Sequence, residues 1–357
     1  MKRVRATALI LTAALLTAGC AAAPGAPAET VSPASTATAA ASGAVDALSL
    51  TGPVEAETIA DMHALVTDAA PQLPAAVTDA EGAKITVAKA DRVIALDLYG
   101  TLTDTVIGLG LEDRLVGRAM SDTQAALEDL PVVSRDGIDL NVEAVLDLHP
   151  DVVLTNTTIG SAASYRQLEA AGVTVVRFAQ APHLNDIDAA IAQVGATFGM
   201  GDAAQQLIDA TDAALADARA RIAELKAATP RAPRAAVLYV RGTGGVFFIM
   251  GSDYGASDVI EALGLDDAAG DAGITSLKPA NAESLVTLDP EIILAMSAGV
   301  ESAGGVDTFL KRPGLSATTA GANRRLVMAA DSQLLSYGPR TPQNLVALAE
   351  AIYTDAP

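Results

Sequence analysis

In the stretch Leu238-Tyr239-Val240-Arg241-Gly242, two side chains able to do chemistry stand two positions apart at the end of an apolar run that starts at Ala235. That run reads as a strand, and at a strand's period of two Tyr239 and Arg241 leave the same face. A phenolate oxygen is a hard anionic donor suited to ferric iron. Tyrosine titrates near pH 10 in water, so a phenolate needs positive charge beside it. A metal supplies most of that charge and a neighbouring guanidinium adds to it. A buried tyrosine satisfied by an arginine has the same pattern without any ligand, and the spacing alone leaves both open.

Other candidates lie further along. Met296 ends the apolar run Glu291–Met296, where its thioether is either a soft donor or a filler of core gaps. Tyr337 and Arg340 sit in the loop Ser336-Tyr-Gly-Pro-Arg-Thr-Pro342, and Arg340 could meet a carboxylate as a two-pronged donor or only pin the loop. Of the three histidines, His149 precedes Pro150 and is expected at the surface, and His63 falls in an unassigned stretch. His183 follows a strand end and could face a cleft. No Cys or His stands next to an acid, no carboxylate pair is placed, and no phosphate-binding glycine fingerprint follows the first strand, so no enzyme activity is expected.

The elements that must position these residues fall around one long helix. From Asp202 to about Ala228 the chain has neither Gly nor Pro, and its apolar residues recur at steps of three and four. Such a rod is roughly 40 Å long. Asn141-Val-Glu143 through Pro150 to Leu154 and Asn281-Ala-Glu283 through Pro290 to Leu294 repeat one plan at an offset of 140 residues (281 − 141). Each copy has an Asn cap, a short helix, a Pro and an apolar strand.

Strands at Arg92–Leu96, Val152–Leu154 and Val173–Phe178 alternate with helices near 103–111, 162–171 and 185–198, which implies a parallel sheet. Ligands of such sheets lie beyond the carboxyl ends of the strands. The first lobe's cleft candidates are therefore Tyr99, Asn156 and the segment 179–183. A second lobe follows the same logic, with strands at 235–241, 246–250, 291–296 and 325–328 and a closing helix to Tyr353. The expected architecture is α/β, two Rossmann-like lobes joined by one backbone helix, with lobes at 91–200 and 231–357 and the linking helix at 201–230. Residues 48–90 form an extension of unassigned role, with a helix expected near Glu57–Ala69.

Half of the 357 residues are hydrophobic, but only 3% are aromatic, so Ala and Val must build the interior. The net charge of −20, with no basic stripe, argues against nucleic acid or an anionic membrane surface as partner. Lys2, Arg3 and Arg5 precede an apolar run too short to span a bilayer. The run ends Leu16-Thr-Ala-Gly-Cys20, which looks like a bacterial lipobox with Cys20 as the lipidated residue, so 1–20 is expected to be a signal peptide. Cys20 is also the only cysteine, which excludes a disulfide or a thiol nucleophile in the mature fold. Residues 21–47, rich in Ala, Pro, Ser and Thr, are expected to be a disordered tether.

Two lobes on one helix resemble the class III substrate-binding proteins of ABC importers for metal chelates. Within that class, Asp97-Leu-Tyr-Gly-Thr101, Leu238-Tyr-Val-Arg-Gly242, Ala295-Met-Ser-Ala-Gly-Val-Glu-Ser302 and Gly338-Pro-Arg-Thr-Pro342 closely resemble the haemin-binding lipoproteins of haem uptake systems. The resemblance runs from about residue 83 to the end. It implies a lipid-anchored extracytoplasmic receptor, expected to be monomeric, that carries haem b as transported cargo to an ABC permease and its ATPase. Tyr239 would be the iron ligand and Arg241 its support. Met296 or His183 would be the sixth ligand or a contact of the haem face, and Arg340 or Tyr337 a propionate partner. Glu143 and Glu283 would face the permease. The family's usual first-lobe His follows the Gly of Gly137-Ile138-Asp-Leu-Asn141, and here that position is Ile138. This departure keeps a cobalamin or ferric-siderophore chelate open as the alternative cargo.

Overall fold

Val93–Leu96, Val152–Thr155 and Thr174–Arg177 are short aliphatic runs, buried almost throughout, as parallel strands covered by helices on both faces require. In the computed structural model, which describes residues 43–135 and 138–355, they form a four-stranded parallel sheet with Leu115–Gly117 at one edge. The second sheet is seven-stranded. Its parallel core is Arg234–Arg241, Ile292–Met296 and Leu326–Ala329, and Val246–Ile249 returns antiparallel along Arg234–Arg241. The fold is thus α/β with two parallel-sheet lobes. The expected signal peptide, Cys20 and nearly all of the expected tether lie outside the described residues.

The helix Gly201–Lys226 buries Leu207, Thr211, Leu215, Ala218, Ile222 and Leu225 along one stripe. It packs against Ile187–Thr197 of the first lobe and against the closing helix Thr341–Tyr353 of the second. Its buried face therefore belongs to a hydrophobic cluster that includes Val106 and Phe198 on one side and Ile352 and Tyr353 on the other. At about 25 cal/mol per Å² of apolar surface removed from water, such a shared core ties both lobes to the rod.

The internal repeat is visible in three dimensions. Asn141 caps the helix Val142–Asp147 by accepting from the Ala144 N–H, and Asn281 caps Ala282–Leu288 by accepting from the Ser284 N–H. The residues before the two prolines, His149 and Asp289, both take a left-handed backbone, with φ of 47° and 38°. His149 is exposed and terminates a helix, and His63 is likewise exposed.

The extension departs from expectation. No helix forms at 57–69. Instead the segment lies extended across the first lobe, donating from Leu65 and Val66 to the Gly108 carbonyl and from Gln72 to that of Phe198. The Met62, Leu65 and Val66 N–H groups find their acceptors on the lobe rather than on one another, and the Met62 and Val66 side chains are buried. Just before it, Pro53–Glu55 adds a parallel edge strand to Leu326–Met328 of the second lobe.

Candidate functional site

Strand alternation places Leu238 and Val240 in the second lobe's core and turns Tyr239 and Arg241, both half-buried, to the other face. The helix Ser297–Ser302 presses close behind, and Gly299 makes that possible. A Cβ there would sit 2.6 Å from the Val240 carbonyl oxygen and 2.5 Å from the Arg241 guanidinium. Arg241 folds back so that its guanidinium carbon stands 5.1 Å from the Tyr239 ring centroid, a contact worth about 0.5–1 kcal/mol where solvent reaches it. The same guanidinium donates to the Asp331 carboxylate at the start of the helix Asp331–Leu334. The second Asp331 oxygen is buried without a partner, as is the Ser297 hydroxyl nearby.

Tyr239 and Arg241 open onto a cavity of about 580 Å³ between the lobes, bordered also by Asp331, Met296, Ile138 and Tyr99. Met120 lies on its first-lobe wall, and Glu55 and Glu301 lie on its second-lobe side. Arg241 is the one cation among the described residues around it. Tyr99 reaches in from the first lobe just before the helix Thr101–Gly108. Asp97, almost fully buried, accepts from the N–H groups of Tyr99, Thr101 and Leu102 and so fixes this turn. Gly100 takes a φ of 75° there, and a Cβ on it would meet the Asp122 carboxylate at 3.0 Å. Burial, with Tyr239, Asp97 and Asp331 nearby, pushes the Tyr99 hydroxyl up to about 12. It remains a phenol and a hydrogen-bond donor.

The other sequence candidates divide. Asn156, Tyr337 and the segment 179–182 border a second cavity of about 340 Å³, which shares Leu98 and Tyr99 with the first but not Tyr239. Arg340 does not border the Tyr239 cavity: it is buried and donates from Nε to Asp104 at 2.9 Å, across the lobe boundary. His183 also stands apart from the Tyr239 cavity. Its Nδ1 lies 2.8 Å from Asp258, whose other oxygen accepts from the Leu184 N–H, so it links the lobes rather than facing the cleft. Met296 is at the cleft but only 4% exposed, beneath the surface that Tyr239 presents. Ile138 stands on the first-lobe wall, exposed. Glu143 and Glu283 are both exposed in the first turns of their helices.

Sequence patterns gave no sign of Asp331, Met120 or Glu55, which reach the cleft through long-range folding and sit in no local motif, and Glu301, inside the stretch Ala295–Ser302, was not singled out.

Two parallel-sheet lobes on one helix, with a cleft at the carboxyl ends of their strands, define the class, and the chain belongs to the periplasmic binding protein family, whose model matches residues 95–332. Proteins of this family serve transport as extracytoplasmic substrate-binding components. Among solved structures, the chain is similar to the heme binding protein HmuT, with 38% identity, 87% of this chain and 100% of that one covered, and a TM-score of 0.83. It is also similar to the periplasmic heme-binding protein RhuT from Roseiflexus sp. RS-1, with 32% identity over 74% of this chain and 98% of that one and a TM-score of 0.65. An uncharacterised ABC transporter substrate-binding lipoprotein, YvrC of Bacillus subtilis, is 27% identical over 79% of this chain and 86% of its own length. A cobalamin-binding protein of Halobacterium salinarum is 28% identical over 80% of this chain and 76% of its own length.

Proposed function

We propose that the chain captures haem outside the cytoplasm, holds it by Tyr239 and delivers it to an ABC permease with its ATPase, anchored to the membrane through a lipid on Cys20. The observation that carries this is a half-buried tyrosine under a guanidinium, opening onto a cavity large enough for an organic ligand. The similarity to heme-binding proteins supports haem as the cargo, and haem b is the form expected. Tyr239 would donate its phenolate to ferric iron. Leu98, Ile138, Met120 and Met296 would offer apolar contact to the macrocycle. Arg241 is already engaged by Asp331, so the propionates find no free cation among the described lining residues and face solvent.

The test is a haemin titration followed by absorption. Parent protein should bind with a mostly high-spin ferric spectrum, and Tyr239→Phe, which keeps the ring and removes the ligand, should lose stable binding. An unchanged spectrum and affinity in Tyr239→Phe would overturn the assignment. A cobalamin is the second reading, favoured by the cobalamin-binding relative and by the apolar Ile138 in the first lobe. A chain that stays colourless with haemin yet retains cobalamin through gel filtration would select it.

A further inference from the structure

The first-lobe wall of the cleft carries two apolar side chains that are unusually exposed, Met120 at 49% and Ile138 at 57%. Met120 is held in place despite that exposure. Its N–H donates to the Ser134 hydroxyl at 2.7 Å. The preceding Ala119 N–H donates to Asp122 at 2.8 Å, and the following Ser121 hydroxyl donates to the Asp97 carbonyl at 2.8 Å. Three successive residues are thus anchored to the lobe while one thioether stands free in the cavity that Tyr239 borders.

The hydroxyls of Ser121 and Thr123 on this wall are poor partners for iron, the first engaged by the Asp97 carbonyl and the second a neutral alcohol. Met296 belongs to the same lobe as Tyr239 and is almost fully buried, so it does not face Tyr239 from across the cleft.

We infer that Met120 supplies the first-lobe donor to the iron of bound haem, opposite Tyr239, with Ile138 shielding the sulfur from water. This rests on the haem reading above. A thioether is a soft, neutral ligand that binds ferric iron weakly and suits ferrous iron far better. Met120 therefore matters little to the oxidised complex and completes the coordination of the reduced one.

The experiment loads the full chain with haemin and records absorption and resonance Raman spectra before and after adding dithionite. The parent should give a mostly high-spin ferric form and a six-coordinate, low-spin ferrous form. Met120→Leu should turn the ferrous form five-coordinate, while ferric affinity falls by no more than about tenfold, the scale of a volume-conserving swap. Met120→His should convert the ferric form to six-coordinate low-spin. A five-coordinate ferrous parent, a low-spin ferrous form that survives Met120→Leu, or its loss only in Met296→Leu would each overturn the assignment. A parent that takes up no haemin removes the haem reading itself and this assignment with it, an outcome visible before any reductant is added.

Discussion

The guanidinium of Arg241 is divided between two neighbours, lying 5.1 Å over the Tyr239 ring and donating to the Asp331 carboxylate. Its positive charge beside the phenol is therefore partly compensated from the far side. Any anionic partner of Tyr239 therefore meets a guanidinium that Asp331 already shares.

If Tyr239 is the iron ligand, the charges beside it should tune haemin affinity. Asp331→Asn leaves the guanidinium uncompensated, which favours an anionic ligand, so haemin should bind about tenfold more tightly. Arg241→Ala removes the cation and should weaken binding by a similar factor, and the double variant should follow Arg241→Ala. Haemin titrations followed by absorption read all three. Weaker binding in Asp331→Asn would contradict the arrangement.

Asp104 is fully buried, and burial raises its carboxyl to about 6 even though Arg340 opposes the shift. Arg340→Ala would leave that carboxylate without its cation inside the protein, a change that costs about 3–5 kcal/mol. Urea unfolding should show the loss, and Asp104→Asn in the Arg340→Ala background should recover part of it. A loss below about 1 kcal/mol would mean the pair contributes no more than an exposed one.

Asp122 lies behind Gly100 with one oxygen unpartnered, and burial, aided by Asp97, pushes it up to about 8. An unfolded aspartate titrates near 3.9. Between those values the folded chain keeps a proton that the unfolded chain has released. Stability therefore falls as pH rises through this window, by up to about 1.4 kcal/mol per pH unit, and levels off above about 8. Asp122→Asn should flatten this slope and gain most at the alkaline end. Urea midpoints of parent and variant at about pH 5 and pH 8 give the comparison, and parallel profiles would refute it.

Glu143 and Glu283 occupy matching exposed positions in the two copies of the repeat. If they are the permease contacts, the double variant Glu143→Ala, Glu283→Ala should bind haem normally and support little uptake in cells that depend on it. Normal growth of such cells on haem iron would exclude this role.

The architecture was legible wherever local pattern carried it. The three-and-four spacing from Leu207 to Leu225 marked the long helix, and the Asn cap, Pro and strand recurring 140 residues apart (281 − 141) marked two similar lobes. The face shared by Tyr239 and Arg241 follows from strand alternation alone. What stayed hidden depended on distant partners. Arg340 and Asp104 are 236 residues apart, so nothing near either one announces that the arginine is already engaged. His183 looked free because its partner, Asp258, lies 75 residues on. The 57–69 stretch has helical composition, but its N–H groups find better acceptors on the lobe it crosses.

The edge strand Pro53–Glu55 pairs with Leu326–Met328, 273 positions further along the chain (326 − 53). Synthesis therefore delivers the outermost strand of the second lobe before any of the first lobe, and its neighbour close to last. Loop closure over that length is slow compared with the local βα contacts of either lobe. A nascent chain must then carry an unsatisfied strand through most of its translation, and the edge at Leu326–Ala329, once made, stays open to other chains until that waiting strand docks. A second lobe expressed alone from residue 231 would keep this edge bare and should self-associate, whereas adding a segment equivalent to 43–57 in trans should return it to a monomer.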